Sequence, residues 1–351
     1  MTEKIKMQLQ CPMPKFDFEV ITLGHGSGGL LTHRLLQTGV FDILKNEYLN
    51  QQHDGAILEL SGKLAFSTDS YVISPIFFPG GNIGDLAING TVNDIAMCGA
   101  TPQYLSLSFI IEEGLTMTEF WEVLVSIKAA ANKAGVLIVT GDTKVVEKGK
   151  GDKLFINTSG IGVVHPKANI HHNRIEAGDV IIISGNIANH GIAIMSQRQG
   201  LEFETTIESD TANLNKIIIK LIEQFGSDIK FLRDPTRGGL TSVLNEVAEL
   251  TQLGFEINHK QLPIDAQVDG ACEMLGLDPL YVANEGLFVA VVKESVAKSF
   301  LEQLRADENG VNAAIIGFVT EEHKGKVVIK SAIGGKRIAG YLTGEQLPRI
   351  C

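Results

Sequence analysis

The spacing of apolar residues in the first half of the chain alternates between the period of a strand and that of a helix. Helical spacing predicts helices over 84–96 and 120–134, the second opened by Thr118 and ended by Gly135. Because Ser61-Gly62 separates two strand-like segments, we expect a hairpin there. The strands predicted in this half are 20–23, 56–60, 63–67, 103–111, 136–139 and 154–164.

The second half repeats this alternation after a polar segment at 165–178, which we interpret as a linker. Helices are predicted at 211–225 and 238–251. The strands predicted in this half are 179–184, 254–258, 286–292, 312–319 and 326–330. Strands that alternate with helices in both halves favour layered α/β architecture over a helical bundle or an all-β sandwich.

The pattern therefore predicts an α/β protein with two domains, and a chain of 351 residues is long enough for about two substantial cores. We place an N-terminal domain at 20–168 and a C-terminal domain at 169–338. Residues 1–19 are expected to be flexible, and 339–351 are expected to form a mobile tail.

Composition narrows the class of protein. The chain is 44% hydrophobic and 20% charged, and no run approaches the roughly 18 apolar residues of a membrane span. Its first residues lack the apolar segment of a signal peptide, and its four cysteines have neither CxxC nor metal-ligand spacing, so we expect reduced thiols in the cytoplasm. A net charge of −11 argues against a nucleic acid partner, but a nucleotide can enter as its Mg²⁺ complex.

The stretch 67–102 carries most of the candidate chemistry. Asp69 is expected at the tip of a buried strand, and the helix that follows presents Asp85 and Asn89 on one side, with Asp94 near its end. Carboxylate and amide oxygens are the hard ligands that Mg²⁺ prefers, together with substrate phosphates. An alternative is that Asp69 caps a helix and the other carboxylates are solvated, but the three acids together favour metal–nucleotide chemistry.

Further charged residues adjoin predicted strand ends. Asp142 follows the strand 136–139, with Lys144 two residues on, and Glu285 adjoins the strand 286–292. Asp234 precedes a predicted helix, where it suits an anion site or a metal shell. A role as the cap of that helix is compatible with either.

A glycine-rich loop at Gly24–Gly29, which contains His25, follows the first predicted strand. Its backbone N–H groups could wrap a phosphate, although it lacks the Gly-Lys-Ser/Thr of the Walker pattern and a flexible turn explains it equally well.

The chain ends in Pro348-Arg-Ile-Cys351. Pro348 favours an extended backbone, and ten extended residues reach on the order of 35 Å, enough to travel between a cleft and a partner's active site. Cys351 is therefore a candidate carrier thiol. The alternative is a disordered tail that ends in cysteine.

Together these motifs resemble the PurM-like ATP-binding superfamily and, within it, the HypE family of carbamoyl dehydratases in nickel–iron hydrogenase maturation. The matching segments span almost the whole chain, and the terminal one together with the long central one is the specific signal. They are 25–29, 67–100, 141–146, 234–240, 283–286 and 348–351.

The resemblance implies a reaction in two stages. A carbamoyltransferase, HypF, loads a carboxamide onto the sulfur of Cys351. The chain then uses ATP with Mg²⁺ to phosphorylate the carboxamide oxygen and eliminate phosphate, which leaves a thiocyanate. A HypC–HypD complex accepts the cyanide for the hydrogenase iron, and neither nucleic acid nor a membrane is implied.

The resemblance also implies residue roles. Glu285 is expected to be the base, Lys144 to stabilise developing negative charge or position the tail, and His25 to lie near the reacting tail. Three carboxylates are expected to ligate Mg²⁺: Asp69, Asp94 and Asp234. The residues expected to bind ATP are Asp69, Asp85, Asn89, Asp94, Asp142 and Asp234.

Two further expectations concern a departure from the family pattern and the oligomeric state. Asn82 stands where several relatives are expected to have aspartate, so we do not expect this position to ligate metal. Family members pair through the sheets of their N-terminal halves, so we expect a homodimer.

Two other functions also fit the sequence. One is a PurM-like enzyme that acts with ATP on a small molecule, of the selenophosphate or aminoimidazole ribonucleotide synthetase type. A selenophosphate synthetase is expected to carry a reactive cysteine near its N-terminus, and Cys11 lacks a convincing surrounding motif. The other is a non-catalytic maturation scaffold, which would not need Asp69, Asp94, Asp142 and Asp234 together.

Overall fold

The computed structural model describes residues 13–16, 18–200, 206–331, 334–342 and 349–351. The chain divides into two compact units. Unit 1 comprises Met1–Ile95, Pro102–Val163 and Cys351, and unit 2 comprises Ala96–Thr101 and Val164–Ile350. Most of the predicted flexible segment 1–19, including Cys11, lies outside the described residues, as do 343–348 of the predicted tail. The predicted domain boundaries remain predictions.

Unit 1 is built on a four-stranded sheet in the order β1-β6-β4-β5. β1 and β6 are antiparallel, whereas β4 and β5 are parallel. Its elements are α1 (Leu30–Leu35), α2 (Asp42–Leu44), β1 (Leu64–Tyr71), β2 (Phe77–Phe78), β3 (Gly81–Asn82), α3 (Ile83–Met97), β4 (Ala100–Glu112), α4 (Met117–Ala134), β5 (Leu137–Val146) and β6 (Leu154–Val164). Short 3₁₀ or π turns occupy Leu23–Gly26, Leu36–Phe41 and Leu49–Gln51.

The predicted hairpin of 56–60 and 63–67 is wrong. β1 pairs with β6, with Leu64 opposite Val163 and Tyr71 opposite Ile156. Ile57 is 88% exposed, so the segment before β1 has no core to cover its apolar residues. The predicted strand 20–23 is also wrong, because Val20 forms only an isolated bridge with Thr116.

The helix α4 has a defined signal at each end. The N–H of Glu119 donates to Thr116 Oγ1 at 3.2 Å, and Glu119 accepts from the N–H of Thr116 at 3.3 Å. This reciprocal pair is a capping box. Gly135, with a φ of 78°, ends the helix as predicted, but Thr116 rather than Thr118 opens it.

The sheet of unit 1 has one buried face and one open face. Alternate residues of β4, such as Leu107 and Phe109, are buried, and the Phe109 ring lies 5.4 Å from that of Phe120 on α4. The opposite face carries exposed apolar side chains, including Phe66 at 68% and Ile110 at 46% exposed. Large apolar groups on an open sheet face indicate an interaction surface.

Unit 2 is built on a seven-stranded sheet in the order β13-β12-β9-β11-β7-β10-β8. Its elements are β7 (Val180–Ile183), α5 (Asn189–Gln199), α6 (Asn215–Phe225), β8 (Ile229–Arg233), α7 (Gly239–Thr251), β9 (Gly254–Asn258), α8 (Ala266–Leu275), β10 (Val289–Val292), α9 (Glu294–Arg305), β11 (Ala314–Thr320), β12 (Val327–Lys330) and β13 (Lys336–Ala339). Short 3₁₀ turns occupy His172–Arg174, Gly226–Asp228, His259–Gln261 and Pro279–Tyr281.

Both faces of the seven-stranded sheet are buried. On one face, Ile181 and Ile183 pack with residues of α7, and on the other, Ile182 packs with residues of α6 and α9. A third cluster joins α5 to α8 through Ile192 and Ala271. The chain is thus an α/β protein with two sheet-based domains.

The predicted strands and helices of the second half agree with the structure to within a few residues. The sequence pattern does not predict β8, β13, α8 or α9, and it gives no bounds for α5. α5 begins with Asn-His-Gly, a run of weak helix formers that hides its start. Within the described ranges, no helix combines the length and the apolar character needed to cross a membrane.

Candidate active site

Two of the predicted carboxylates lie on the buried side of the sheet in unit 1. β1 continues to Tyr71, so Asp69 lies within the strand, opposite Thr158, rather than at its tip. Two residues earlier, Ser67 donates from its hydroxyl to Asp94 Oδ2 on α3 at 2.6 Å. Asp69 thus lies two residues along β1 from the serine that binds Asp94 of α3.

Asp85 has a structural role in its own loop. Its Oδ1 accepts from the N–H of Asn82 at 2.7 Å, and a Cβ on Gly81 would lie 2.6 Å from its Oδ2. Asn82 in turn accepts from the N–H of Gly84 at 2.8 Å at the start of α3. The side-chain oxygen of Asn82 is therefore used to bind the first turn of α3. Asn89, farther along α3, is buried.

Asp142 and Lys144 lie inside β5, because this strand runs to Val146 instead of ending at 139. Lys144 Nζ lies 2.6 Å from Asp142 Oδ1, and this bond lowers the pKa of the Asp142 carboxyl. Asp142 is paired with Ser108 on the open face of the sheet, whereas Asp69 is paired with the buried Thr158. Within one chain, these two predicted ligands thus lie on opposite faces.

His25 is buried at the end of the glycine-rich loop's first turn, with 1% of its surface exposed. Its Nδ1 accepts from the N–H of Thr22 at 3.0 Å, so the neutral imidazole carries its proton on Nε2. Burial lowers the pKa of His25. Its Nε2 has no hydrogen-bond partner among the described residues, which leaves one buried donor available to a bound group.

The His25 loop is held against β5. A Cβ on Gly26 would lie 2.6 Å from the backbone nitrogen of Val145, so only glycine permits this approach. Because Val145 follows Lys144 directly, the loop and the lysine belong to the same part of unit 1.

In unit 2, the remaining predicted residues gather at one edge of the seven-stranded sheet. Val289, at the start of β10, is opposite both Ile183 at the end of β7 and Arg233 at the end of β8. The loops that follow these strands and precede β10 therefore meet there. Asp234 directly follows β8, and Glu285 lies in the loop before β10.

Asn284 connects three of these loops. Its Oδ1 accepts from the N–H of Ala188 at 2.7 Å, and its Nδ2 donates to the carbonyl of Pro235 at 2.7 Å. Asp234 does not cap α7, because the residue before that helix is Gly238, four positions later. This leaves the capping interpretation of Asp234 wrong.

Asp210 adds a fourth segment and is a residue that the sequence analysis misses. Its carboxylate accepts from the N–H groups of Glu285 at 3.2 Å and Gly286 at 3.0 Å, and from that of His190. A Cβ on Gly286 would lie 1.7 Å from the Asp210 carbonyl oxygen, so glycine is required. Glu285 is 4% exposed beside this bond. Nothing in the local pattern around Asp210 signals this role.

The end of the chain is also bound at this edge. His190 Nε2 donates to the carbonyl of Ile350 at 2.7 Å, and the Arg198 guanidinium donates to the carbonyl of Arg349. Ile350 is 1% exposed. His190 is the second residue that the sequence analysis misses, although its glycine-flanked turn at 185–191 is a recognisable signal.

Cys351 itself belongs to unit 1, where its backbone oxygen accepts from the N–H of Val72 at 3.1 Å. Its side chain is half-buried. Of the other cysteines in the described residues, Cys98 is exposed, and burial raises the pKa of Cys272 to about 12.

Burial shifts the pKa values of His190 and Asp210, both at this edge, in opposite directions. It lowers the pKa of His190 to about 4 and raises the pKa of Asp210 to about 6. A cavity of about 160 Å³ adjoins Asp210 and is lined by polar residues that include Asn189 and Asn312.

Comparison with known proteins gives two family matches. Residues 52–164 match the model for the N-terminal domain of AIR synthase related protein, and residues 176–330 match the model for its C-terminal domain.

Individual proteins match over nearly the whole chain. The carbamoyl dehydratase HypE of Bradyrhizobium diazoefficiens is 47% identical over 332 residues, which are 94% of this chain and 96% of that protein. A crystal structure of hydrogenase maturation protein HypE in complex with ATP has a TM-score of 0.91 at 47% identity and covers 94% of this chain and 99% of its own. A crystal structure of a HypE–HypF complex has a TM-score of 0.78 at 44% identity, covering 90% and 100%.

The two opposed shifts predict how stability depends on pH. Below its ordinary pKa of 6.5, His190 takes up a proton on unfolding, so it destabilises the fold as the pH falls toward 4. Asp210 binds a proton in the folded state below about 6 but releases it on unfolding above 3.8, so it stabilises the fold as the pH falls. The two contributions oppose each other in the same window.

A variant that lacks one of the two residues, His190 or Asp210, should show the other residue's contribution to the pH dependence of stability. We compare how much the free energy of unfolding changes when the pH falls from 7 to 4.5. Relative to the wild-type change, we expect that of His190→Gln to be about 2 kcal/mol more positive and that of Asp210→Asn to be about 2 kcal/mol more negative. Urea unfolding at the two pH values measures both. Three parallel pH profiles would contradict the assignment.

Proposed function

This chain belongs to the AIR synthase related family and, within it, to the HypE carbamoyl dehydratases of hydrogenase maturation, and we propose that it uses ATP to dehydrate an S-carboxamide on its own Cys351. The observation that carries the proposal is the position of the chain end. His190 binds the carbonyl of Ile350 at the sheet edge where Asp210 holds the backbone of Glu285. A chain end held near a buried carboxylate suits a reaction on the terminal residue.

The proposed reaction converts a poor leaving group into a good one. The γ-phosphoryl group of ATP passes to the carboxamide oxygen, and one N–H proton is lost. The C–O bond then breaks, phosphate leaves, and the second N–H proton is removed, so that the sulfur retains a nitrile. The products are the Cys351 thiocyanate, ADP and phosphate. Positioning and charge stabilisation supply most of the catalysis in such phosphoryl transfers.

Glu285 is the proposed base for the N–H protons. Its backbone N–H is bound by Asp210 and the preceding Asn284 is bonded on both sides, so its position is fixed by buried hydrogen bonds. A carboxylate that is 4% exposed is protected from water, which favours proton transfer to it over transfer to solvent.

Lys144 and His25 are proposed to act on developing negative charge. Lys144 is a cation on the open face of the sheet, where Asp142 orients it. His25 is neutral, and its buried Nε2–H is free among the described residues to donate to a bound group. Both side chains are held in place as hydrogen-bond donors, because Asp142 binds Lys144 and Thr22 binds His25.

ATP with Mg²⁺ is the proposed cosubstrate, and a solved relative that is 47% identical is in complex with ATP. No group of three or more His, Cys, Asp or Glu side chains in the described part of the chain is arranged to hold a metal ion alone. The hard carboxylate oxygens of Asp69 and Asp94 fit Mg²⁺, with nucleotide phosphates completing its shell. The bound ion would neutralise phosphate charge, and Asp234 remains a proposed further ligand.

The structure supports a role in ATP binding to different degrees for Asp142, Asp85 and Asn89. Asp142 is exposed and ionised, as a nucleotide-site carboxylate must be. Asp85 and Asn89 line the start and middle of α3, where Asp85 already binds its own loop. Asp85 is therefore proposed to act by shaping that loop rather than by binding the ion.

A homodimer through the open sheet face of unit 1 is also proposed. This face carries Phe66, Ile110 and Leu137, each at least 40% exposed, together with Asp142 and Lys144. Covering it would bury the apolar residues and would bring those two charged residues to the partner copy.

The proposed protein partners follow the two stages. A relative is solved in a HypE–HypF complex, so a HypF carbamoyltransferase is the proposed source of the carboxamide. A HypC–HypD complex is the proposed acceptor of the cyanide. A reactive thiol of this kind suits the reducing cytoplasm.

Intact mass of the whole chain tests the proposed reaction. After incubation with the carbamoyltransferase, carbamoyl phosphate and Mg-ATP, we expect a carboxamide adduct that loses one water only when ATP is present. Cys351→Ala should form no adduct, whereas Cys98→Ser, which removes an exposed cysteine, should behave like the wild type. An adduct that never loses water would reject the dehydratase, and the absence of an adduct would favour the small-molecule enzymes.

The same assay tests the base. Glu285→Gln keeps the shape of the side chain, so loading should continue while loss of water slows by about 10² or more. The exposed Glu294 at the start of α9 provides a matched control, and Glu294→Gln should have no effect. An unchanged rate in Glu285→Gln would assign the base to another group.

Oligomeric state tests the dimer. Phe66→Glu places a charge on the open sheet face, so light scattering should report a monomer where the wild type is a dimer. Ile57→Glu is the control, because Ile57 is also highly exposed but lies outside the sheet. A dimeric Phe66→Glu, or a monomeric wild type, would contradict the proposal.

A further inference from the structure

The last residues of the chain are recognised through their backbone. The carbonyl of Ile350 accepts from His190 Nε2–H at 2.7 Å, and the carbonyl of Arg349 accepts from the Arg198 guanidinium. Neither bond involves the thiol of Cys351. The atoms of these two bonds are therefore the same whatever group the sulfur carries.

His190 is prepared for this contact by its other neighbours. A carbonyl oxygen only accepts, so the proton of the neutral ring must be on Nε2. The Ser209 hydroxyl fixes that tautomer, because it lies 2.8 Å from Nδ1 and itself accepts from the N–H of Thr211 at 3.1 Å. The ring is fully buried, near the start of α5.

Release of the tail would leave this arrangement incomplete. Without the Ile350 carbonyl, a fully buried N–H loses the acceptor that the structure gives it, and the 1% exposed side chain of Ile350 returns to water. The lost hydrogen bond and the exposed isoleucine both disfavour release. The contact thus stabilises the docked tail and also fixes its register, since the reacting residue is the next one along.

We propose that His190 is a positioning residue for the reaction, which holds the Ile350 carbonyl and thereby sets the place of the Cys351 sulfur in its free, carbamoylated and cyanated forms. The inference rests on the proposed function for its catalytic consequence, but not for the docking itself. A purely structural His190 would fill space in the core and would not affect the accessibility of Cys351.

Alkylation of Cys351 tests the docking without any catalysis. The full chain is treated with limiting iodoacetamide, and peptide mass spectrometry compares Cys351 with the exposed Cys98 of the same molecule. In His190→Asn, whose shorter amide overlays Nδ1 rather than Nε2, we expect Cys351 to react about fivefold faster. In His190→Gln, whose amide nitrogen can occupy the Nε2 position, the rate should return close to that of the wild type.

Two further variants guard against a folding defect and an unspecific effect. Ile350→Asp leaves the body of the protein unchanged and should also accelerate alkylation, because a carboxylate disfavours the buried position. His323→Asn, at a partly exposed histidine, should change nothing. An unchanged Cys351 rate in folded His190→Asn, or in Ile350→Asp, would overturn the proposal.

The carbamoyl assay separates this proposal from the proposed function. We expect His190→Asn to be loaded at the wild-type rate but to lose water at least fivefold more slowly, with recovery in His190→Gln. If the alkylation series behaves as expected while wild-type Cys351 is never carbamoylated, the docking stands and the dehydratase function fails. Equal dehydration in all three proteins would overturn the positioning role.

Discussion

The hydrogen bonds from the backbone of Glu285 and Gly286 to the carboxylate of Asp210 are the constraint on which the rest of the site depends. They fix the loop before β10 against residues 206–214, which the structure describes as neither helix nor strand. Gly286 is required at this point, because any side chain would meet the Asp210 carbonyl. Asn284, next to them, extends the network to the loops after β7 and β8.

This network explains why the edge can bind a peptide carbonyl. Loops normally carry mobile backbone groups, but here buried hydrogen bonds hold them at the ends of strands that are covered on both faces. His190 lies two residues after Ala188, whose N–H binds Asn284, so the same hydrogen bonds also restrict the position of the His190 ring.

Much of the architecture could be predicted from sequence, where a residue's own pattern decides its structure. Strands such as 254–258 and 154–164 are buried on one or both faces, so their apolar residues define their limits. The hairpin at 56–67 could not be predicted correctly, because the choice between a local partner and β6 is made by tertiary pairing. Likewise, strand ends near Asp69 and Asp142 depend on pairing, which extends β1 and β5 beyond their apolar runs.

The residues of the candidate site also fall into those that the sequence identifies and those that only the fold identifies. Asp69, Asp94, Asp142, Asp234 and Glu285 carry charges in recognisable motifs, and the sequence singles them out. Asp210 and His190 act through backbone groups of residues that are distant in the sequence, 75 positions for Asp210 and Glu285 and 160 for His190 and Ile350. No spacing along the chain records such contacts, so only the folded structure could reveal them.

Infrared spectroscopy of the loaded chain tests the central claim, that Cys351 ends the reaction as a nitrile. The chain would be incubated with the carbamoyltransferase, ¹³C-labelled carbamoyl phosphate and Mg-ATP, freed of small molecules and compared with an unlabelled sample. A nitrile band that shifts with the label, requires ATP and is missing in Cys351→Ser is the predicted result. Consumption of ATP without any protein-bound nitrile, or a nitrile band that persists in Cys351→Ser, would contradict the account.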